Sequence, residues 1–427
     1  MIDLKLLRTS PGQVRAALAR RGDASLVRLL DEIEALDMKR RTLTAQLDTL
    51  KAERNDAARA DALVAKSQGG LPEATTAQRR KLGERIAALE SELKQIETTL
   101  DAKALFVPNL PLPEVPDEQT TLRSWGTPAP KGGQPHWEIA EKLGILDLPA
   151  GAKLAGSGFP VLRGMGARLA RALINFMIDL HTKEHGYIEV EPPLLVRREV
   201  MTGTGQLPKF EDDVYRTTDD LFLIPTAEVP VTNLHRDEII DRPLPLGYVA
   251  YTPCFRREAG AAGKDTRGLL RVHQFDKVEL VRFCRATDSP AEHEKLTGHA
   301  EEVLRRLELP HRVAVLPAND FGFAAAKTYD LEAWAPGVGQ WLEVSSSSTF
   351  TDFQARRANI RCRPRPGEKP EFVHTLNASG VALPRTIAAL LETRQQPDGS
   401  VTIPAALVPY VGVERLAPPV PPAAAGA

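Results

Sequence analysis

Apolar residues recur between positions 29 and 57 at alternating steps of four and three. Leu29, Ile33, Leu36, Leu43, Leu47, Leu50 and Ala57 mark the seam, with Arg40 and Arg54 filling its two gaps. After a break the same steps return at Leu82, Ile86, Leu89, Leu93, Ile96 and Leu100. Both are heptad seams, the pattern of helices that wind on one another. Gly69, Gly70 and Pro72 lie between them and cannot continue a helix. The spacing therefore predicts two long helices, about 28–62 and 77–105, folding back as an antiparallel coiled coil within an N-terminal domain, 1–106. A helix of roughly 35 residues is roughly 50 Å long, so the pair is expected to project as an arm. Ser10-Pro11-Gly12-Gln13 reads as a capping box opening a short helix before the arm. Residues 107–116 carry four prolines, which predicts a stiff linker. From 117 to about 415 short strand-like runs alternate with turns and a few helices. That order predicts an α+β domain built on an antiparallel sheet flanked by helices. The Pro- and Ala-rich end, 416–427, is expected to be disordered.

Composition narrows the class. The 427 residues are 42% hydrophobic and 26% charged, ordinary for a chain with large cores. Lys plus Arg number 55 against 56 acids, a formal net charge of -1, so a globally basic nucleic-acid coat is excluded while local basic surfaces are not. Cys254, Cys284 and Cys362 are scattered, with no C-x-x-C pair, which argues against a zinc ribbon or a disulfide framework and for a reducing, cytoplasmic setting. The first residues lack the apolar core of a signal peptide, and no apolar run is long enough to span a membrane.

Two apparent motifs carry little. His181-Thr-Lys-Glu184-His185 fits the H-x-x-E-H pattern of inverted zinc peptidases, but Leu173, Phe176, Met177 and Leu180 make it the end of an ordinary packed helix. Gly156-x-Gly158 and Gly203-x-Gly205 lack the third glycine of a phosphate loop, and no G-K-[ST] exists. The segment 251–280 says more. Two strand-like runs flank a Gly-rich charged loop, a long hairpin. Strand period two places Arg256 and Glu258 on one face, and Phe275, Lys277 and Glu279 on one face of the return strand. Such a surface suits a phosphate, through Arg, and a base, through Phe. A solvated face with a cross-strand ion pair is the plainer reading of the same residues.

CFRREAGAAGKDTRGLLRVHQFDKVEL, residues 254–280, resembles motif 2 of the class II aminoacyl-tRNA synthetases, in the form found in the seryl-tRNA synthetase family. ALINFMIDLHTKEHGYIEVEPP, 172–193, resembles motif 1, a helix and a strand at the dimer interface. LNASGVALPRTIAALLE, 376–392, resembles motif 3. Gly203–Phe210, Thr226-Ala227-Glu228 and Gln340–Ser346 fit the same family, as does the arm. Two departures are visible: Ala378 where the family often has Gly, and Lys264 where it often has Arg.

The resemblance implies an ATP-dependent enzyme that activates L-serine and transfers it to tRNA(Ser), and also to tRNA(Sec). ATP is its substrate and Mg²⁺ its cofactor. It implies Arg256 on the α-phosphate, Glu258 near the adenine amino group, and Phe275 and Val272 around the base. Arg385 would reach the γ-phosphate from a helix start, where Pro384 suits the first turn. Glu343, Val344, Ser345 and Ser346 would touch ATP, with Glu343 and Ser346 holding the divalent ion. Those two are three apart, so a regular strand would face them oppositely, and the strand must end or bulge between them. Serine would lie among Thr226, Ala227, Glu228, Arg256, Glu279 and Ser379, with Glu279 accepting its hydroxyl. The alternative for Thr226 is a helix cap. Arg256 and Arg385 would be the catalytic pair, in a cytoplasmic homodimer that holds tRNA on its arm. Two rival readings are a ligase that loads a carrier protein, whose relatives lack the arm, and a coiled-coil scaffold with an inactive synthetase fold.

Overall fold

The computed structural model describes residues 1–68, 72–258, 267–365 and 367–419. Gly69, Gly70, Lys264 and the tail from residue 420 lie outside the described residues. Two compact units divide the chain, Met1–Pro108 and Asn109–Ala427.

The first unit holds four helices: α1 (Leu4–Thr9), α2 (Pro11–Ala19), α3 (Ser25–Gln68) and α4 (Glu73–Ala104). The helix at Ser10 forms without the capping box. Ser10 makes no side-chain cap bond, and its own N–H, which Gln13 would have to reach, already donates to Leu6 O at 2.9 Å. The long helices α3 and α4 pack through the apolar seam. Leu47, Leu50 and Ile86 are buried in one cluster with Leu82, Leu89 and Leu93 against it. Helix α3 runs beyond its heptads through an Ala-rich stretch after Ala57 that favours helix, and α4 begins before its heptads, at Glu73. At the base of α3 the seam turns by one residue: Leu30 and Asp37 are buried where Leu29 and Leu36 are only half-buried. Arg8, from α1, donates to both Asp37 carboxylate oxygens at 2.8 and 2.9 Å, which makes burial of that acid tolerable.

The second unit is built on an eight-stranded sheet. In chain order its strands are β1 (Thr120–Trp125), β2 (Ile188–Glu189), β3 (Leu246–Phe255), β4 (Gln274–Cys284), β5 (His311–Val315), β6 (Lys327–Ala335), β7 (Gln340–Thr349) and β8 (His374–Ala382). Their order across the sheet is β1-β5-β6-β7-β8-β4-β3-β2, antiparallel except where the edge strand β2 runs parallel to β3. Helices α5 (Met165–Lys183), α6 (Ser289–Arg306) and α7 (Leu383–Arg394) cover one face. Period two sorts β4: Val278 and Leu280 join Leu173, Met177 and Val303 in the helix-side core, while Phe275, Lys277 and Glu279 turn to the other face. Strands β7 and β8 pair only over Ser347–Thr349 and Leu376–Ala378. Beyond that they part, and the site lies where they open. The ordered fold continues past 415, since Leu416 is buried and pairs with Val401.

Candidate active site

A cavity of about 560 Å³ opens on the face of the sheet away from the helices. Strand period does not account for Arg256 and Glu258, because β3 stops at Phe255. The Arg256 N–H donates to His273 O at 2.8 Å, but Arg257 N–H turns to Asp213 O at 3.0 Å, and the chain leaves the sheet. Glu258 then takes the left-handed backbone, with φ 51°, which a side chain adopts only under constraint. Both side chains nevertheless line the cavity, with Val272 and Phe275. The Arg256 guanidinium stands 5.1 Å from the Phe275 ring centroid, and its Nε donates to Pro225 O at 3.3 Å. Glu258 is ion-paired with Arg271.

Glu343, Val344, Ser345 and Ser346 also line the cavity, as does Arg385 from the first turn of α7. The parity conflict is resolved by a bulge. Leu331 pairs with Ser345 and Glu332 with Glu343, so Val344 is an extra residue in β7. Its side chain joins the helix-side core, leaving Glu343 and Ser346 toward the same side. Arg385 donates to Glu343 Oε2 at 3.1 Å, to Glu343 O at 2.9 Å and to Leu270 O at 3.0 Å. Beside them is Asp330, opposite Ser346 in the ladder, which no sequence pattern marks. It is buried, its Oδ1 has no hydrogen-bond partner, and burial with the Glu343 charge holds its carboxyl well above the usual range.

The wall also holds a buried polar network. Thr226 lines the cavity. Its Oγ1 accepts the N–H of Glu228, the first residue of the short helix Glu228–Thr232, at 3.2 Å, and also accepts from Lys277 Nζ at 2.9 Å; the N-cap position itself is Ala227, which makes no side-chain cap bond. Glu228 lines the cavity and accepts from Gln354 Nε2 at 2.6 Å and from Asn377 Nδ2 at 3.0 Å. Asn377 Nδ2 also donates to Glu279 Oε1 at 2.8 Å. Burial, and then the Glu279 charge, raise the Glu228 carboxyl from 4.5 to about 7. Ser379 lines the cavity and pairs with Glu279 across the ladder.

Two expectations need correction. Ala227 does not line the cavity; it is buried in the cluster of Val231, Ile240, Tyr248 and Phe283. Glu279 is 1% exposed and does not line the wall, since Lys277 and Asn377, both on the wall, engage its two oxygens. Lys277, Asn377, Gln354 and Asp330 were not selected from the sequence. Lys277 was already on the right face by strand period, and Asn377 shares a face with Ser379. Gln354 carried no signal at all.

His181 belongs to α5, whereas His185 lies beyond its end at Lys183. Burial keeps both imidazoles below their usual range, with Nδ1 atoms 2.9 Å apart. A Cβ on Gly380 would stand 3.1 Å from His181 Nε2, so the glycine admits the ring beneath the bulge that follows Ser379. The methyl of Ala378 points into the helix-side core, away from Asn377 and Ser379, so this departure leaves the cavity wall unchanged. Among the described residues no set of three His, Cys, Asp or Glu is disposed to hold a metal ion, and no helix is long and apolar enough to cross a membrane. The three cysteines are buried and unpaired.

Comparison with known proteins decides the family. Residues 1–111 match the family described as "Seryl-tRNA synthetase N-terminal domain" and residues 209–394 the "tRNA synthetase class II core domain (G, H, P, S and T)". The chain is 55% identical over 426 residues to a serine--tRNA ligase of Gemmatimonas aurantiaca, covering 98% of this chain and 100% of that protein. It belongs to the seryl-tRNA synthetase family. A second serine--tRNA ligase, from Thermomicrobium roseum, is 56% identical over 97% of this chain and 94% of its own. Among solved structures, seryl-tRNA synthetase from Pyrococcus horikoshii, complexed with ATP, superposes with a TM-score of 0.93 at 39% identity, over 98% of this chain and 100% of that one. The rival readings fall with these matches: seryl-tRNA synthetases align over both units, arm included.

Proposed function

We propose that the cavity binds ATP beside Arg256 and Arg385 and L-serine beside Thr226, Glu228 and Ser379, with Glu279 behind Lys277 and Asn377 setting the charge of that wall. The chain activates serine with ATP and transfers it to tRNA(Ser). The observation that carries the residue roles is that one cavity wall holds both arginines and a network of buried acids and amides. Arg256 and Arg385 suit phosphate, whose charge must be neutralised, and the buried acids and amides suit the amino acid. A serine carboxylate oxygen attacks the α-phosphorus, the bond to the bridging oxygen breaks, and pyrophosphate leaves. The terminal ribose hydroxyl of tRNA then attacks the carbonyl carbon, and AMP leaves. The serine carboxylate is already ionised at neutral pH, so the first step needs no base, and no residue is assigned as one. Arg256 holds the reacting groups in line and Arg385 draws the distal phosphates toward α7.

Glu343 and Ser346, with the unpartnered Asp330 Oδ1 beside them, suit a divalent cation such as Mg²⁺. Few protein ligands are needed when phosphate oxygens complete the shell. When bound, the ion supplies neutralisation of phosphate charge and fixes the triphosphate geometry. Glu343 must then share its carboxylate between the ion and Arg385.

The helices α3 and α4 are proposed to grip tRNA(Ser), and tRNA(Sec), by shape and backbone contacts. The sequence places basic clusters there at Lys39–Arg41, Arg54 and Arg79–Lys81, of which Lys39 is ion-paired with Glu92, Arg40 and Arg41 with Asp37, Arg79 with Asp61 and Arg80 with Glu84. A homodimer through the motif 1 strand is supported by its place at the sheet edge and by exposed Ile188 and Leu195, each 45% accessible. A cytoplasmic location fits three reduced cysteines. The test is ATP–pyrophosphate exchange with each amino acid, followed by transfer to total tRNA. Exchange that is not serine-dependent, or serine that reaches no tRNA, rejects the reading.

A further inference from the structure

Lys277 carries no role in the assignments above, yet its surroundings are specific. It is 5% exposed, lines the cavity, donates to Thr226 Oγ1 at 2.9 Å and lies against the Glu279 carboxylate. A buried ammonium is tolerated only when paired, and here the pairing matches the Glu279 charge before any substrate arrives. Glu228 differs. Both of its oxygens accept from neutral amides, Gln354 and Asn377, and it faces the cavity. Of these two acids, one is matched by a cation in contact and the other is not.

We propose that Lys277 is a specificity-determining residue: it neutralises Glu279 so that the side-chain subsite takes a neutral hydroxyl and rejects a cation, leaving Glu228 to receive the single α-ammonium. The proposal rests on reading Thr226, Glu228 and Glu279 as the serine site. It follows that charge, not only size, screens small amino acids here. L-2,3-Diaminopropionate has the shape of serine with an ammonium in place of the hydroxyl. In the wild-type site that group would meet the Lys277 ammonium in a desolvated space, where like charges repel strongly.

The experiment is inhibition of serine-dependent ATP–pyrophosphate exchange by L-2,3-diaminopropionate and by L-alanine at one pH for all proteins, with the diaminopropionate constant referred to its doubly protonated form. Wild type, Lys277→Met, Lys277→Arg and Glu279→Gln are compared. Wild type should be inhibited more weakly by diaminopropionate than by alanine, which merely lacks the hydroxyl. In Lys277→Met the serine KM should rise more than kcat falls, and diaminopropionate should gain at least about tenfold relative to serine, the least expected from removing one desolvated like charge. Lys277→Arg should restore rejection of diaminopropionate. If wild type binds diaminopropionate as well as alanine, the proposal is overturned, whether or not the methionine variant folds. An equal loss for serine and diaminopropionate in Lys277→Met also overturns it, and Lys277 is then a strut. The underlying reading fails separately: in that case Glu279→Gln and Lys277→Met both leave the serine KM unchanged.

Discussion

Two lysine–glutamate pairs show how differently the arm and the cavity use charge. Lys39 and Glu92 bridge α3 and α4 at 2.7 Å with side chains 57% and 42% exposed, whereas Lys277 and Glu279 meet at 6% and 0%. In water an ion pair competes with solvation on equal terms and contributes about 0–1 kcal/mol. Inside a protein, breaking one partner away leaves an uncompensated charge, at a cost of about 3–5 kcal/mol. The arm is thus held by its apolar seam and tolerates rearranged surface charge. The cavity is held by charges that depend on one another, so each substitution there is felt by its neighbours.

The largest test of that division removes one region. Deleting residues 36–95 and bridging the stub should leave serine-dependent exchange near wild type and reduce charging of tRNA by orders of magnitude. Loss of both activities from a folded core would show that the units do not work separately. Next, Arg256→Ala should lower exchange by at least about tenfold to a hundredfold, the value of one charge-assisted contact or more, while far-UV dichroism is unchanged. Exchange within about twofold of wild type would remove Arg256 from the phosphate.

A pH profile sharpens the comparison inside the cavity. Glu228, raised to about 7, must be ionised to accept an ammonium. The kcat/KM for serine should fall toward tenfold per pH unit below about 7, and a flat profile between about pH 6 and 8 would contradict this. The stability consequence has the opposite sense. Between 4.5 and about 7 the folded chain keeps a proton that the unfolded chain has lost, so this group destabilises the fold as pH rises through that window. The smallest effect belongs to the arm: Lys39→Ala should change its stability by no more than about 1 kcal/mol, read from the helix signal in urea. A larger loss would mean that the exposed pair is not a surface pair in energetic terms.

The same contrast governs what the sequence could disclose. Heptad steps are local, so Ile33, Leu43, Leu47 and Ile86 were legible as seam positions, and strand period placed Phe275, Lys277 and Glu279 together. The turn of the seam at Leu30 and Asp37 was not legible, because it depends on Arg8, 29 residues away. Motif resemblance supplied Arg256, Glu258 and Arg385, whereas strand parity would have been the wrong reason for the first two once β3 ended at Phe255. Parity was informative at Glu343 and Ser346, where its conflict required the bulge found at Val344. Gln354 shows the limit. It is a fully buried amide on a short helix, reaching Glu228 across 126 residues of sequence, and no local pattern marks it.

The chain of bonds from Thr375 through Gln354, Glu228 and Asn377 to Glu279 has a consequence for anyone recoding this enzyme toward another amino acid. Each member satisfies its neighbour, so a single replacement strands a buried donor or acceptor, while exchanging both partners of a bond for apolar groups of matching shape can be nearly neutral. Libraries that vary one position at a time will therefore read this site as immutable. Paired randomisation, Glu228 with Gln354 or Asn377 with Glu279, is the search that can cross to a new substrate without first losing the fold.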